Sequence, residues 1–158
     1  MLKIIRYLQS VHIFLFVLFG FLEIQAVTII FNLITPSGFN KNPMAESLMG
    51  DNLFLLFSFG VILAPLLETI IFQALPFLII KSFFRYKKRL YVYIVVTAIL
   101  FGLTHHYNTL YIVITFLFGI ILGFMYYICT LRKENQVIII ALIHAINNLL
   151  AFLMLALP

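Results

Sequence analysis

The chain has 158 residues, of which 65% are hydrophobic and 9% charged, with a formal net charge of +5 and a mean hydropathy of +1.18. Soluble domains carry roughly 45–50% apolar and about 25% charged residues, so the composition excludes a soluble enzyme and indicates an integral membrane protein. The length leaves room for one helical bundle, residues 1–158 as a single membrane domain, and the lone Cys129 excludes an internal disulfide.

Met1-Leu2-Lys3-Ile4-Ile5-Arg6 precedes an apolar stretch from 11 to 34. A signal peptide opens in the same way, but its apolar region covers only about 7–15 residues, so a retained first helix is predicted. Glu23, near its middle, is either protonated or hydrogen-bonded inside the bundle or part of a polar lining shared with a deeper carboxylate. His12 falls at the membrane interface. Residues 35–51, beginning Thr35-Pro36-Ser37-Gly38, read as an extramembrane loop.

The second span, 53–80, is longer than a hydrocarbon core of about 30 Å requires at about 1.5 Å per residue. Pro65 is expected to kink it and to release the carbonyl four residues earlier. Three residues on stands Glu68. An acidic group at the centre of a membrane helix costs roughly 2.5–3.5 kcal/mol, so Glu68 requires partners from other spans.

Residues 81–89 form a basic connector, Lys81, Arg85, Lys87, Lys88 and Arg89, with no acid. Between two membrane spans this pattern sets orientation and does not indicate nucleic acid. The third span, 90–104, ends in His105-His106-Tyr107. The fourth, 110–129, carries Gly119-x-x-x-Gly123, a spacing that admits a close helix neighbour, and ends in Cys129, which reads as packing. After the loop 131–135 the fifth span, 136–157, carries His144, Asn147 and Asn148. With the N-terminus inside and the C-terminus outside, nine of the ten lysines and arginines fall on the inner face, leaving Lys41 outside.

On helices, His144 and Asn148 share a face, as do Phe101 and His105. Counted from the same membrane face, Glu68, His105 and His144 lie within roughly 10 Å of one another in depth. Three deep polar groups on three helices predict a common site.

Pro65-Leu66-Leu67-Glu68-Thr69-Ile70-Ile71-Phe72-Gln73, Phe101-Gly102-Leu103-Thr104-His105 and His144-Ala145-Ile146-Asn147-Asn148 resemble three motifs in their order, Glu-Glu-x-x-x-Arg, Phe-x-x-x-His and His-x-x-x-Asn. These motifs belong to the CPBP family, the CAAX-prenyl-protease and bacteriocin-processing (Abi) intramembrane endopeptidases. The resemblance covers residues 53–158, a core four-helix bundle, and leaves 1–34 as an additional N-terminal helix. It implies an all-α polytopic bundle in the cell membrane, without a cofactor or metal, acting on a membrane-embedded or lipid-anchored protein or peptide. It implies Glu68, His105, His144 and Asn148 as catalytic residues, with Thr69, Gln73, Phe101 and Asn147 binding substrate or supporting the site. In that reading Glu68 activates a water shared with His105, while His144 and Asn148 donate to the oxyanion.

Two positions depart from the pattern. Thr69 stands where the family has a second glutamate and Gln73 where it has arginine, so a neutral hydrogen-bonded pair is expected in place of an ion pair. The departures leave open a non-catalytic membrane regulatory or immunity protein. A proton-relaying carrier is a third class, disfavoured by the lack of internal repeats. Glu68 with two histidines is also a possible zinc set, disfavoured because Asn148 and Phe101 stand where a second ligand one turn away is expected.

Overall fold

The computed structural model describes residues 2–35 and 52–156. Six helices follow one another, with no strand among the described residues: α1 (Leu2–Ser10), α2 (Ile13–Ile34), α3 (Leu53–Phe83), α4 (Tyr86–Thr104), α5 (Thr109–Cys129) and α6 (Gln136–Ala156). The predicted loop, Lys41 included, lies outside the described residues. Residues 2–10, left unassigned by periodicity, form a separate short helix. His12 stands between it and α2, out of helical conformation, and its Nδ1 accepts the Phe14 N–H at 3.3 Å, capping α2.

Four helices, α2, α3, α5 and α6, are long and apolar enough to cross a membrane. Helix α4, the third predicted span, opens on Tyr86-Lys87-Lys88-Arg89, so its apolar part is shorter than that of the other four. The distribution of side chains is that of a polytopic membrane bundle. Leu33, Phe54, Phe83 and Met154 point outward, whereas Thr69, Gln73, Thr97, Thr115 and His144 are buried. Lipid tails are as apolar as leucine, so close packing and internal hydrogen bonds, more than water exclusion, must hold such helices together. Gly119 and Gly123 serve this end. A Cβ at Gly119 would lie 2.7 Å from the Ala98 Cα, and one at Gly123 would collide with the Thr97 hydroxyl, so α5 touches the backbone of α4 there.

Helix α3 is helical throughout Leu53–Phe83, with Pro65 inside it. Two π-helical stretches, Leu56–Leu63 and Thr69–Ala74, end just before the Ala64-Pro65 and Leu75-Pro76 pairs. In each the backbone bonds five residues back: Ala64 N–H to Phe59 O, and Leu75 N–H to Ile70 O. A proline ring clashes with the preceding turn of a regular α-helix, and here each proline pair is preceded by the wider i to i+5 turn of a π segment. With Ala64 bonded to Phe59 and Pro65 lacking an N–H, the Gly60 carbonyl loses both ladder donors.

At one end of the bundle Arg132 ties the α5–α6 loop to the α1–α2 junction. Its guanidinium donates to the Leu8 and Val11 carbonyls and to both carboxylate oxygens of Glu134, and lies 4.8 Å from the Phe16 ring centre. The guanidinium in turn holds the Glu134 carboxyl below the usual carboxylate range.

Candidate active site

Glu68 sits on the short α-helical stretch Ala64–Glu68 between the two π segments, where α3 packs on α6. A helix with two changes of register within twenty residues turns its side chains away from a regular face, and here the change aims Glu68 at α6 and at the end of α4. Its Oε2 lies 3.9 Å from His105 Nε2 and 3.8 Å from His144 Nε2. Both gaps exceed a direct hydrogen bond. Glu68 Oε2 is buried and has no hydrogen-bond partner in the protein, so two imidazoles from separate helices converge on one carboxylate oxygen.

The histidines are held differently. His105 is the first residue beyond α4, and its Nδ1 lies 2.7 Å from the Phe101 carbonyl. A carbonyl only accepts, so Nδ1 carries the proton and neutral His105 presents a bare Nε2 to Glu68. His144 lies inside α6, buried, and its Nδ1 has no partner in the protein. Phe101 supports both rings: its own ring is 4.6 Å from His105 and 5.6 Å, edge-on, from His144, with Phe72 5.8 Å behind it. His106 is exposed and takes no part in these contacts.

Asn148 stands one turn beyond His144 and makes no hydrogen bond to Glu68. Its Nδ2 donates to the Gly60 carbonyl at 2.9 Å, the acceptor freed by the π segment and Pro65. Asn147 Nδ2 lies 3.5 Å from Asn148 Oδ1, and Asn147 Oδ1 accepts from Gln25 Nε2 at 2.7 Å. The sequence reading missed Gln25. A count of polar residues inside apolar spans finds it, whereas a count of ionisable ones stops at Glu23, which makes no hydrogen bond or ion pair with the described residues.

The expected Thr69–Gln73 pair does not form, a correction. Both side chains are fully buried, yet Thr69 Oγ1 and both amide atoms of Gln73 lack a partner in the protein. Both lie in the π segment Thr69–Ala74. Instead the Gln73 backbone carbonyl accepts from Tyr93 Oη at 3.2 Å, tying α3 to α4. Cys129 is buried, as a packing residue should be. Among the described residues no group of three His, Cys, Asp or Glu side chains has the spacing of a metal site.

A family model described as type II CAAX prenyl endopeptidase Rce1-like matches residues 50–150, from just before α3 into α6. No curated protein and no solved structure matches the chain.

Proposed function

Because the chain belongs to the Rce1-like type II CAAX prenyl endopeptidase family, a family of membrane proteases, we propose that it hydrolyses a peptide bond of a membrane-embedded or lipid-anchored substrate with a water activated by Glu68. The observation that carries this reading is the pair of Nε2 atoms 3.8 and 3.9 Å from one carboxylate oxygen. Groups at that separation hold a third atom between them more readily than they hold one another.

In the proposed reaction, Glu68 Oε2 takes one proton from water while the bare His105 Nε2 accepts a hydrogen bond from the other. The water oxygen bonds to the scissile carbonyl carbon. His144, with its proton on Nε2, donates to the oxygen that becomes negative, and the free N–H of Asn148 is the second donor for a carbonyl bound one turn along α6. The C–N bond then breaks, and the proton held by Glu68 passes to the leaving amine. The two histidines thus act in opposite tautomers, one accepting and one donating. Phe101 keeps both in place, while Thr69 and Gln73 present neutral polar atoms at the same depth.

Residues 1–158 are proposed as one membrane domain in the cell membrane, with 53–158 as its catalytic core and the bacteriocin-processing members of the broader family as an alternative source of substrates. The clustering of nine of ten basic residues supports an inner N-terminus and an outer C-terminus. Labelling of single cysteines at Ser37 and Ser82 should then occur on opposite sides.

The deciding experiment is hydrolysis of membrane-anchored peptides by the purified full chain in liposomes. Wild type is expected to cleave, Glu68→Gln to lose about 100- to 10,000-fold in kcat, and exhaustive chelation to leave wild type active. Cleavage that persists in Glu68→Gln, or activity lost with a stoichiometric metal and regained with it, overturns the glutamic mechanism. No cleavage by wild type of any anchored peptide favours the non-catalytic reading, suggested by Thr69 and Gln73.

A further inference from the structure

Four polar groups form a single line across three helices: Gln25 on α2, Asn147 and Asn148 on α6, and the Gly60 carbonyl on α3. The direction of every bond in it follows from its last member. The Gly60 carbonyl can only accept, so Asn148 must turn its NH2 toward it and its Oδ1 toward Asn147. Asn147 must then turn its own NH2 toward Asn148, which leaves its Oδ1 facing α2, where a donor is required. Gln25 is that donor, at 2.7 Å.

We infer that Gln25, on a helix outside the family-matched residues, is a positioning residue that fixes the orientation of the Asn148 amide through Asn147. The inference rests on the proposed role of Asn148 as an oxyanion donor. A primary amide that turns over offers an oxygen where the reaction needs an N–H, so its orientation matters more than its presence. Gly60 alone holds one hydrogen of Asn148. The contact from Asn147 to its Oδ1 sets the plane of the amide and hence the aim of the second hydrogen. That contact is 3.5 Å long, at the outer limit of a hydrogen bond. It therefore depends on Asn147 being held from its other side. In a bundle with little water available to replace a lost partner, removing Gln25 leaves Asn147 Oδ1 without its donor, and an Asn147 amide that turns over sets that oxygen against the adjoining amide of Asn148.

The test pairs a structural readout with a kinetic one, both on the full chain. With asparagine side chains labelled with nitrogen-15, Gln25→Met, which keeps length and removes the amide, is expected to shift the Nδ2 signals of both Asn147 and Asn148 and to speed exchange of the Asn148 proton bound to Gly60. Kinetically, Gln25→Met and Asn147→Leu should each lower kcat about three- to thirtyfold with KM nearly unchanged, and the double variant should be no worse than the poorer single, because both act through one amide. A shift confined to Asn147, additive losses in the double variant, or a lowered melting temperature with unchanged kcat overturns the inference. Should Gln25→Met fail to fold, Asn147→Leu carries the same test at Asn148. If Glu68→Gln cleaves as well as wild type, the peptidase mechanism falls, and the Asn148 signals still decide whether Gln25 orients that amide.

Discussion

Arg132 and Glu68 are both ionisable groups withdrawn from water, and they are treated in opposite ways. Arg132, with its side chain 5% exposed, donates to two main-chain carbonyls and a carboxylate and lies over an aromatic ring. Glu68 meets two imidazoles just beyond hydrogen-bonding distance and bonds to nothing in the protein. A buried polar group whose partners are all supplied by the fold fixes the fold. A set of such groups that converge without bonding one another leaves its hydrogen-bonding capacity for something else, and in a membrane protease that is a water and a peptide carbonyl. The same contrast runs through α3: the Gly60 carbonyl, freed by a π turn, is capped by Asn148, whereas Glu68, eight residues later, is left open.

The largest effect that breaks or sharpens the comparison is expected at the open end. His105→Leu removes the acceptor beside Glu68 and should lower kcat about 100- to 10,000-fold, with a melting temperature close to that of wild type, since the ring is partly exposed and gives up one short hydrogen bond, to Phe101 O, while leucine keeps apolar contact with the Phe101 ring. His144→Leu should be similar in rate and, being deeper, larger in stability. If either variant keeps wild-type kcat, the convergence on Glu68 is architectural.

At the closed end the signature should reverse. Arg132→Met keeps an unbranched apolar side chain but removes the guanidinium from the Phe16 ring and strands the Leu8 and Val11 carbonyls. Hydrogen bonds to charged groups contribute about 1.5–3 kcal/mol each, with part recovered from water at the loop. A net loss of about 2–3 kcal/mol is expected, read by chemical or thermal unfolding in detergent, with kcat per folded molecule within about twofold of wild type. A kcat loss without destabilisation would place Arg132 with the chemistry instead.

Much of this division is legible in the sequence, and what is not has a common cause. Glu68, His105 and His144 were identifiable because each is a titratable residue in an apolar span, and the i, i+4 relation of Phe101 to His105 holds because α4 is a regular helix. The reading went astray along α3, where it assumed one register throughout. Pairing of Thr69 with Gln73 is what a regular α-helical register offers. The chain instead switches to i to i+5 hydrogen bonding before each proline pair, and no residue pattern announces that choice. Arg132 was counted only as a charge, because the carbonyls it binds lie more than a hundred residues earlier. The short helix α1 escaped notice because it does not span the membrane.

A smaller effect probes the middle ground, where Gln73 is fully buried with no protein partner for its amide. Gln73→Leu removes no hydrogen bond made by the protein, so stability should change by less than about 1 kcal/mol, in either direction. If Gln73 supports substrate, kcat/KM should fall nonetheless. Unchanged activity with raised stability would assign the amide to neither end of the comparison.

The smallest effect concerns Glu134, the more exposed half of the closed cluster. Its carboxyl is held below the usual range chiefly by the hydrogen bonds from Arg132. A carboxylate with a depressed folded-state pKa stabilises the fold above its unfolded value, near pH 4.3, and that stabilisation fades as pH falls through the lower, folded-state pKa. Wild type should therefore melt slightly higher than Glu134→Gln at neutral pH, and the two curves should converge as the buffer is taken below the folded-state pKa of Glu134. Exposure to water and salt keeps the gap small. Raising ionic strength should narrow the gap at neutral pH while leaving the effect of Arg132→Met largely intact, because two of the guanidinium's partners are carbonyls whose bonds do not depend on a second charge. A gap that persists at low pH would mean that Glu134 contributes by packing, leaving Arg132 anchored by the main chain alone.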